Sequence, residues 1–392
     1  MRDLPLMNTP PLVYLDHNAT TPCAPEVVHA MLPFWTQEYG NASSGHAMGR
    51  TAGNAVERAR NQVARAIGAA ADEVLFTSGA TESNNLILRG LTDIRPARNR
   101  IVLTAIEHPS VREPCRRLSE QGFEVFEIPV SHDGVLDIGS ARHVINENTL
   151  LVSVQGANNE IGTLQPVRVI AEIAHERGAF VHCDATQMLG KVPFSVDSLD
   201  IDYASFSGHK VYGPKGIGGL FVRRGPPCSS VSPPYRGGSQ ESRLRPGTLN
   251  VPAIVGFGEA LRLVENQLVD DNNNLRFLRD KFEQSIKQTI PDAKINGVLG
   301  DRLPGTTSLT IPGVPASMLL ANCVDLCISD GAACSSGAIG PSHVLVSIGL
   351  TRPEAECTVR TSLGRYNSSR DVERAIRSIL SAITTIRAQI SD

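Results

Sequence analysis

The sequence predicts an α/β fold, with a large domain on a mostly parallel seven-stranded sheet and a smaller α+β domain after it. Two observations carry this. Between residues 73 and 222, short β-branched runs alternate with helical stretches. The runs are apolar throughout, without the alternation of a half-exposed strand, as expected of strands buried on both faces. After Pro252 the order changes: a long charged helix comes first, then strands and helices in a different succession. A length of 392 residues accommodates two or three domains.

Residues 45–68 read as a helix with Ala55, Val56, Ala59, Val63 and Ile67 on one side. The seven sheet strands fall at 73–77, 100–104, 123–128, 150–154, 179–184, 202–205 and 219–222. Helices are expected over 82–89, 111–121 and around 171–177, and a surface loop over 224–234. Residues 254–287 are largely helical. Strands at 307–311, 326–329 and 357–362 and helices at 317–321 and 370–389 make up the smaller domain, which begins at about residue 260.

Lys+Arg number 37 and Asp+Glu 40, a formal charge of −3, so the chain has no global basic footprint for nucleic acid. The apolar runs are strand-sized and far short of a membrane span. The first residues lack the charged-then-apolar design of a secretion signal, and the eight cysteines include no Cys-x-x-Cys pair. The expectation is a cytoplasmic protein with reduced thiols, mostly buried as small hydrophobes, and no metal site.

The most informative stretch is Ser205-Phe-Ser-Gly-His-Lys-Val-Tyr-Gly-Pro-Lys-Gly216. Lys210 follows a short apolar strand and stands beside His209. Desolvation there lowers an amine pKa, as a Schiff-base lysine requires, although a solvated loop lysine fits the same pattern. Asp184 closes the preceding strand, 26 residues earlier. A carboxylate at that place can keep a pyridinium nitrogen protonated, or simply cap a turn. Ligands of open parallel sheets bind outside the strands' carboxyl ends, so both groups needed by pyridoxal phosphate (PLP) point into one crevice. Phe76-Thr-Ser-Gly-Ala-Thr-Glu-Ser83 is a strand-to-helix junction, whose free N–H groups, with Thr81, suit a phosphate. His108 follows the next strand and can stack on a ring and exchange a proton. The amides of Asn158 and Asn159 can reach ring or carboxylate oxygens.

Together these segments resemble the class V aminotransferase family, most closely its cysteine desulfurases. The resemblance runs from Tyr14-Leu-Asp-His-Asn-Ala-Thr-Thr21 to Val359-Arg-Thr-Ser-Leu-Gly364 and includes the 102-residue spacing of His108 and Lys210. It implies the PLP-dependent transferase fold type I. Residues 18–260 would form the large PLP-binding domain, and 1–17 with 261–392 the small one. It implies Lys210 as the PLP lysine, Asp184 on the pyridine nitrogen, and Gln187 and Asn159 on the ring hydroxyl side. His108 stacks and shuttles protons, and Ala80, Thr81, Ser207 and His209 bind phosphate. Thr248 reaches the phosphate of the partner subunit in a homodimer. Arg360 grips the carboxylate of L-cysteine, a task suited to a planar guanidinium.

Cys334 lies in Ser329-Asp-Gly-Ala-Ala-Cys-Ser-Ser-Gly-Ala338, a stretch of small and polar residues with nothing bulky to anchor it in a core. A structural cysteine at a strand end is the alternative. The resemblance makes Cys334 the persulfide-bearing cysteine of the long-loop subgroup, which delivers sulfur to an acceptor protein. Iron–sulfur cluster scaffolds, tRNA or cofactor thiolation enzymes and DNA sulfur-modification systems all qualify as acceptors. A selenocysteine lyase, another class V enzyme, or a cysteine hydrolase pairing Cys334 with His343 are the rival readings. Three departures from the family pattern stand out. Ala42 follows Asn41 where proline is usual, Asp330 replaces a common serine, and the chain ends soon after its last helix.

Overall fold

The computed structural model describes residues 12–93, 97–330 and 340–391. In chain order its strands are β1 (Val13–Tyr14), β2 (Val74–Thr77), β3 (Arg100–Thr104), β4 (Glu124–Ile128), β5 (Thr149–Gln155), β6 (Phe180–Asp184), β7 (Tyr203–Ser207) and β8 (Gly218–Val222). Then follow β9 (Lys294–Asn296), β10 (Thr306–Thr310), β11 (Leu326–Cys327) and β12 (Thr358–Ser362). The large sheet has seven strands in the order β2-β8-β7-β6-β5-β3-β4. Strands β7, β6, β5, β3 and β4 pair in parallel, and β8 runs antiparallel to both neighbours. Two antiparallel pairings restore direction, so β2 points the same way as β7. The carboxyl ends of β2, β3, β5, β6 and β7 therefore share one edge, where ligands of open sheets bind.

Strands β2, β5, β6, β7 and β8 are almost wholly buried, in line with their unbroken apolar character. The edge strand β4 differs. Glu124, Phe126 and Glu127 face solvent, and the Arg100 guanidinium sits 4.3 Å from the Phe126 ring centroid. The two glutamates of β4 suit the open edge of a sheet. The helix Ala47–Ile67 buries the stripe expected of it and stops at Gly68, whose φ of +70° suits glycine. Residues 224–234 hold one short turn of helix, Pro226–Ser229, within the expected loop.

A second core gathers Val13 and Leu15 with residues from Leu275 to Ile386 around the antiparallel sheet β12-β10-β9. The helix Val251–Thr289 serves both cores. Val251 to Val264 pack in the first, and Leu275, Leu278, Phe282 and Ile286 in the second. The first chain segment crosses over as well: β1 pairs with β11, and Asp16 bridges to Ser362.

Of the seven described cysteines, Cys115, Cys183 and Cys323 are buried. Cys23, Cys327 and Cys357 are partly covered, and Cys228 is exposed, so burial is less general than composition suggests. Cys357 caps the helix Arg352–Glu356 rather than opening β12. Among the described residues no cluster suited to a metal ion occurs, and no helix is long and apolar enough to cross a membrane.

Candidate active site

The sheet edge opens into a cavity of about 520 Å³. Its lining includes Ala80, Thr81, His108, Asn159, Asp184, Gln187, Ser207, His209 and Lys210. Nine of the residues singled out in the sequence thus converge, drawn from the ends of β2, β3, β5, β6 and β7. Arg360 and Thr248 are not on the lining. Arg360 is buried on β12, and Thr248 is exposed on the segment before the helix Val251–Thr289. Cys334 lies outside the described residues.

Asp184 ends β6 nearly buried. Its Oδ2 accepts from Asn84 Nδ2 at 2.9 Å and its Oδ1 from the Thr186 N–H at 3.1 Å. Asn84 also donates to Ser110 Oγ at 2.9 Å. His108 caps the helix Pro109–Glu120. Its Nδ1 accepts from the Ser110 N–H at 3.1 Å, which leaves the proton of a neutral ring on Nε2. Lys210, in a short 3₁₀ turn after β7, is buried and donates to the carbonyls of Asn18 and Ala19, the latter at 2.7 Å. His209 Nδ1 lies 3.1 Å from Thr20 Oγ1. Burial, then the charges of Lys210, Lys215 and Lys191, lowers the His209 pKa to about 4, so the ring is neutral.

At the end of β2, Gly79 precedes the helix Ala80–Thr92 with φ +156° and no side-chain cap. The N–H groups of the first helical turn are thus free for an anion. A Cβ on Gly218 would lie 2.4 Å from the Phe206 carbonyl oxygen and 2.6 Å from Gly79 Cα, so this turn needs glycine on the facing strand. Thr186 Oγ1, on the lining, has no partner. A free helix N-terminus, a buried amine, a held carboxylate and an unpaired hydroxyl on one cavity fit PLP.

Further side chains shape this arrangement, among them Asn18, Glu160 and Ser342, which the sequence did not flag. Asn158 Oδ1 accepts from the N–H groups of Glu160 and Ile161, which fixes the turn bearing Asn159. The Asn159 carbonyl accepts from Asn18 Nδ2 and Arg360 Nη1, both at 3.1 Å. Arg360 pairs with Asp16 at 2.6 Å, and its Nε has no partner. Glu160 is buried beside it and accepts from Ser342 Oγ at 2.5 Å. Burial pushes its pKa up to about 7. His343 Nε2 faces the Glu107 carbonyl at 2.9 Å. Burial raises the thiol pKa of Cys115 to about 12 and that of Cys183 well above its usual value, so neither is a nucleophile.

This fold and this cavity define a PLP enzyme of the class V aminotransferase type. Residues 13–375 match the aminotransferase class-V family model. The chain is 41% identical over 377 residues to the cysteine desulfurase IscS of Rickettsia typhi, covering 96% of this chain and 92% of that protein. Among solved structures, a NifS-like protein is 36% identical with a TM-score of 0.88, covering 95% of this chain and 100% of that one. SspA in complex with cysteine is 34% identical with a TM-score of 0.78, covering 91% and 99%. The chain belongs to the class V aminotransferase family. Within it, the chain is a PLP-dependent cysteine desulfurase.

Proposed function

We propose that this enzyme takes sulfur from L-cysteine onto Cys334 and hands it to an acceptor protein. The observation that carries the reading is the meeting of Lys210, Asp184 and the free first turn of the helix Ala80–Thr92 on one cavity. Bound PLP supplies an electron sink at the substrate's α-carbon. Lys210 would hold the cofactor covalently and is placed to carry the α-proton. Asp184, kept in place by Asn84 and Thr186, pairs with the ring nitrogen. Ala80, Thr81, Ser207 and neutral His209 donate to the phosphate. Gln187 and Asn159 serve the ring hydroxyl side. His108 stacks on the ring and exchanges a proton at Nε2.

Arg360 binds the substrate carboxylate; its unpaired Nε supports that role. The Cys334 thiol takes the substrate's sulfur. The Cβ–S bond breaks, an S–S bond forms, and L-cysteine plus thiol become L-alanine plus persulfide with no outside oxidant. Exposed Thr248 supports a homodimer in which it completes the partner's phosphate site. The two cores support a large domain over 18–260 and a small one from 1–17 and 261–392. A cytoplasmic location and an iron–sulfur or thiolation acceptor accord with this reading.

Mass spectrometry after brief exposure to L-cysteine without reductant tests it. One added sulfur is expected on the peptide holding Cys334, with alanine formed in equal amount. Cys334→Ser should keep the cofactor and lose both products. Sulfur on Cys323, Cys327 or Cys357, or a fully active serine variant, overturns the assignment.

A further inference from the structure

We infer that Lys191, which the sequence did not single out, is a positioning residue that fixes which end of the Gln187 amide faces the cofactor. Lys191 is not on the cavity lining. Its Nζ donates to Gln187 Oε1 and, at 3.0 Å, to Asn18 Oδ1. Nζ has two N–H groups to donate even as a neutral amine, and giving one to each amide holds both oxygens toward it. Their nitrogens then point elsewhere. Asn18 Nδ2 binds the Asn159 carbonyl and, at 3.0 Å, Thr306 Oγ1. Gln187 Nε2 spends one hydrogen on the Asn18 carbonyl at 2.9 Å. Its second hydrogen is left for the cavity that Gln187 lines.

The same Asn18 carbonyl accepts from Lys210 Nζ, so one acceptor meets both the amide and the cofactor lysine. Without Lys191 the Gln187 amide is free to flip and present its carbonyl. A carbonyl repels an anionic oxygen that an N–H would stabilise. The charged and titratable groups around Lys191 include Lys210 and Arg360, whose charges, after burial, hold its amine well below the ordinary range. Burial first and then the Lys191 charge lower His17; burial, then Lys210, Lys215 and Lys191, lower His209; Tyr212 and Asp271 share a small cavity with Lys191.

The inference rests on Gln187 meeting the ring hydroxyl side, and the test separates the two. The readout is the pH midpoint of the visible band of the bound cofactor in the holoenzyme. Gln187→Ala and Lys191→Met should each move that midpoint upward, by about 1–2 pH units for a lost donor to a charged oxygen. In the Gln187→Ala background, Lys191→Met should add less than half of its own shift, the remainder being its charge. Lys191→Gln, which keeps an N–H donor, should shift less than Lys191→Met and retain the cofactor if the methionine variant does not.

A shift in Gln187→Ala with none in the Lys191 variants overturns the inference. So does a Lys191→Met shift that persists in full without Gln187. Loss of cofactor by both Lys191 variants while Gln187→Ala retains it also overturns it, since that marks a scaffold role. No shift in Gln187→Ala instead refutes the Gln187 reading.

Discussion

Glu107→Gln is expected to stabilise this protein in alkali. The Glu107 side chain is completely enclosed. Its Oε1 accepts from Thr104 Oγ1 at 2.8 Å and from the Gln155 N–H at 2.6 Å, and its Oε2 has no partner. Burial, and next the charge of Asp184, raises its pKa from 4.5 to about 8. A carboxyl raised in this way binds its proton more tightly when folded than when unfolded. Stability is intact below the unfolded pKa, is lost as pH climbs from there to about 8, and is level above. At about 1.4 kcal/mol per pH unit the loss approaches roughly 5 kcal/mol.

Glutamine keeps the Oε1 acceptor and cannot ionise. The two proteins should therefore match within about 1 kcal/mol near pH 5, and the variant should be ahead by several kcal/mol near pH 9. Urea unfolding of the holoenzyme at both pH values measures this. A variant that loses stability toward alkali as steeply as the wild type refutes the reasoning, because the penalty would then lie elsewhere. A neutral Glu107 also sets no second negative charge beside Asp184, the carboxylate placed for a pyridine nitrogen. Cysteine turnover in the variant should accordingly hold near neutrality.

Three further outcomes follow from the site. Lys210→Ala should abolish covalent cofactor attachment; borohydride reduction and peptide mapping of the wild type should place the label on Lys210, and a label on any other lysine refutes this. Arg360→Lys should keep PLP and raise the KM for cysteine roughly 30–1000-fold, since losing a buried charged contact costs about 2–4 kcal/mol; unchanged kinetics would assign the carboxylate to another residue. Gly218→Ala should weaken PLP binding and cost about 1–3 kcal/mol of stability, because the new Cβ must push the Gly79 turn or the Phe206 carbonyl aside; an unaltered Kd by cofactor titration would show that the turn yields freely.

Much of this was legible in the sequence because local chemistry announces it. A strand reads from a short unbroken apolar run such as residues 101–103, and Gly79, Asp184 and Lys210 each sit at or just past the end of a strand. The parts that escaped are set by distant chain. Asn18 is 173 residues from Lys191 and 192 from Lys210, and Asn84 is 100 from Asp184. An asparagine or glutamate among ordinary neighbours gives no sign of which backbone it will meet. Glu107 is a carboxylate straight after an apolar strand end, with Thr104 as a local hydrogen-bond donor but no cation among residues 100–107 beyond Arg100, and that is the one local sign of its burial. The short β11 and the exposed β4 likewise depend on sheet edges, which a single sequence does not reveal.

The chain's net charge of −3 says nothing about the sign of its active site, and the geometry explains why the two diverge. The cavity lining holds two carboxylates, Glu82 and Asp184. Glu82 is committed to the Arg245 guanidinium at 3.0 Å and to the Ser78 N–H. Against Asp184 stand Lys210, Lys215 and the open N-terminus of the helix Ala80–Thr92. Behind the lining, burial keeps Glu107 mostly uncharged below about pH 8, and the Arg360 guanidinium lies close enough to act on the buried Lys191 amine. The acidic surplus therefore sits outside this crevice. A crevice with one available carboxylate amid this much positive potential favours a phosphate and an amino-acid carboxylate together, as a PLP enzyme acting on cysteine requires.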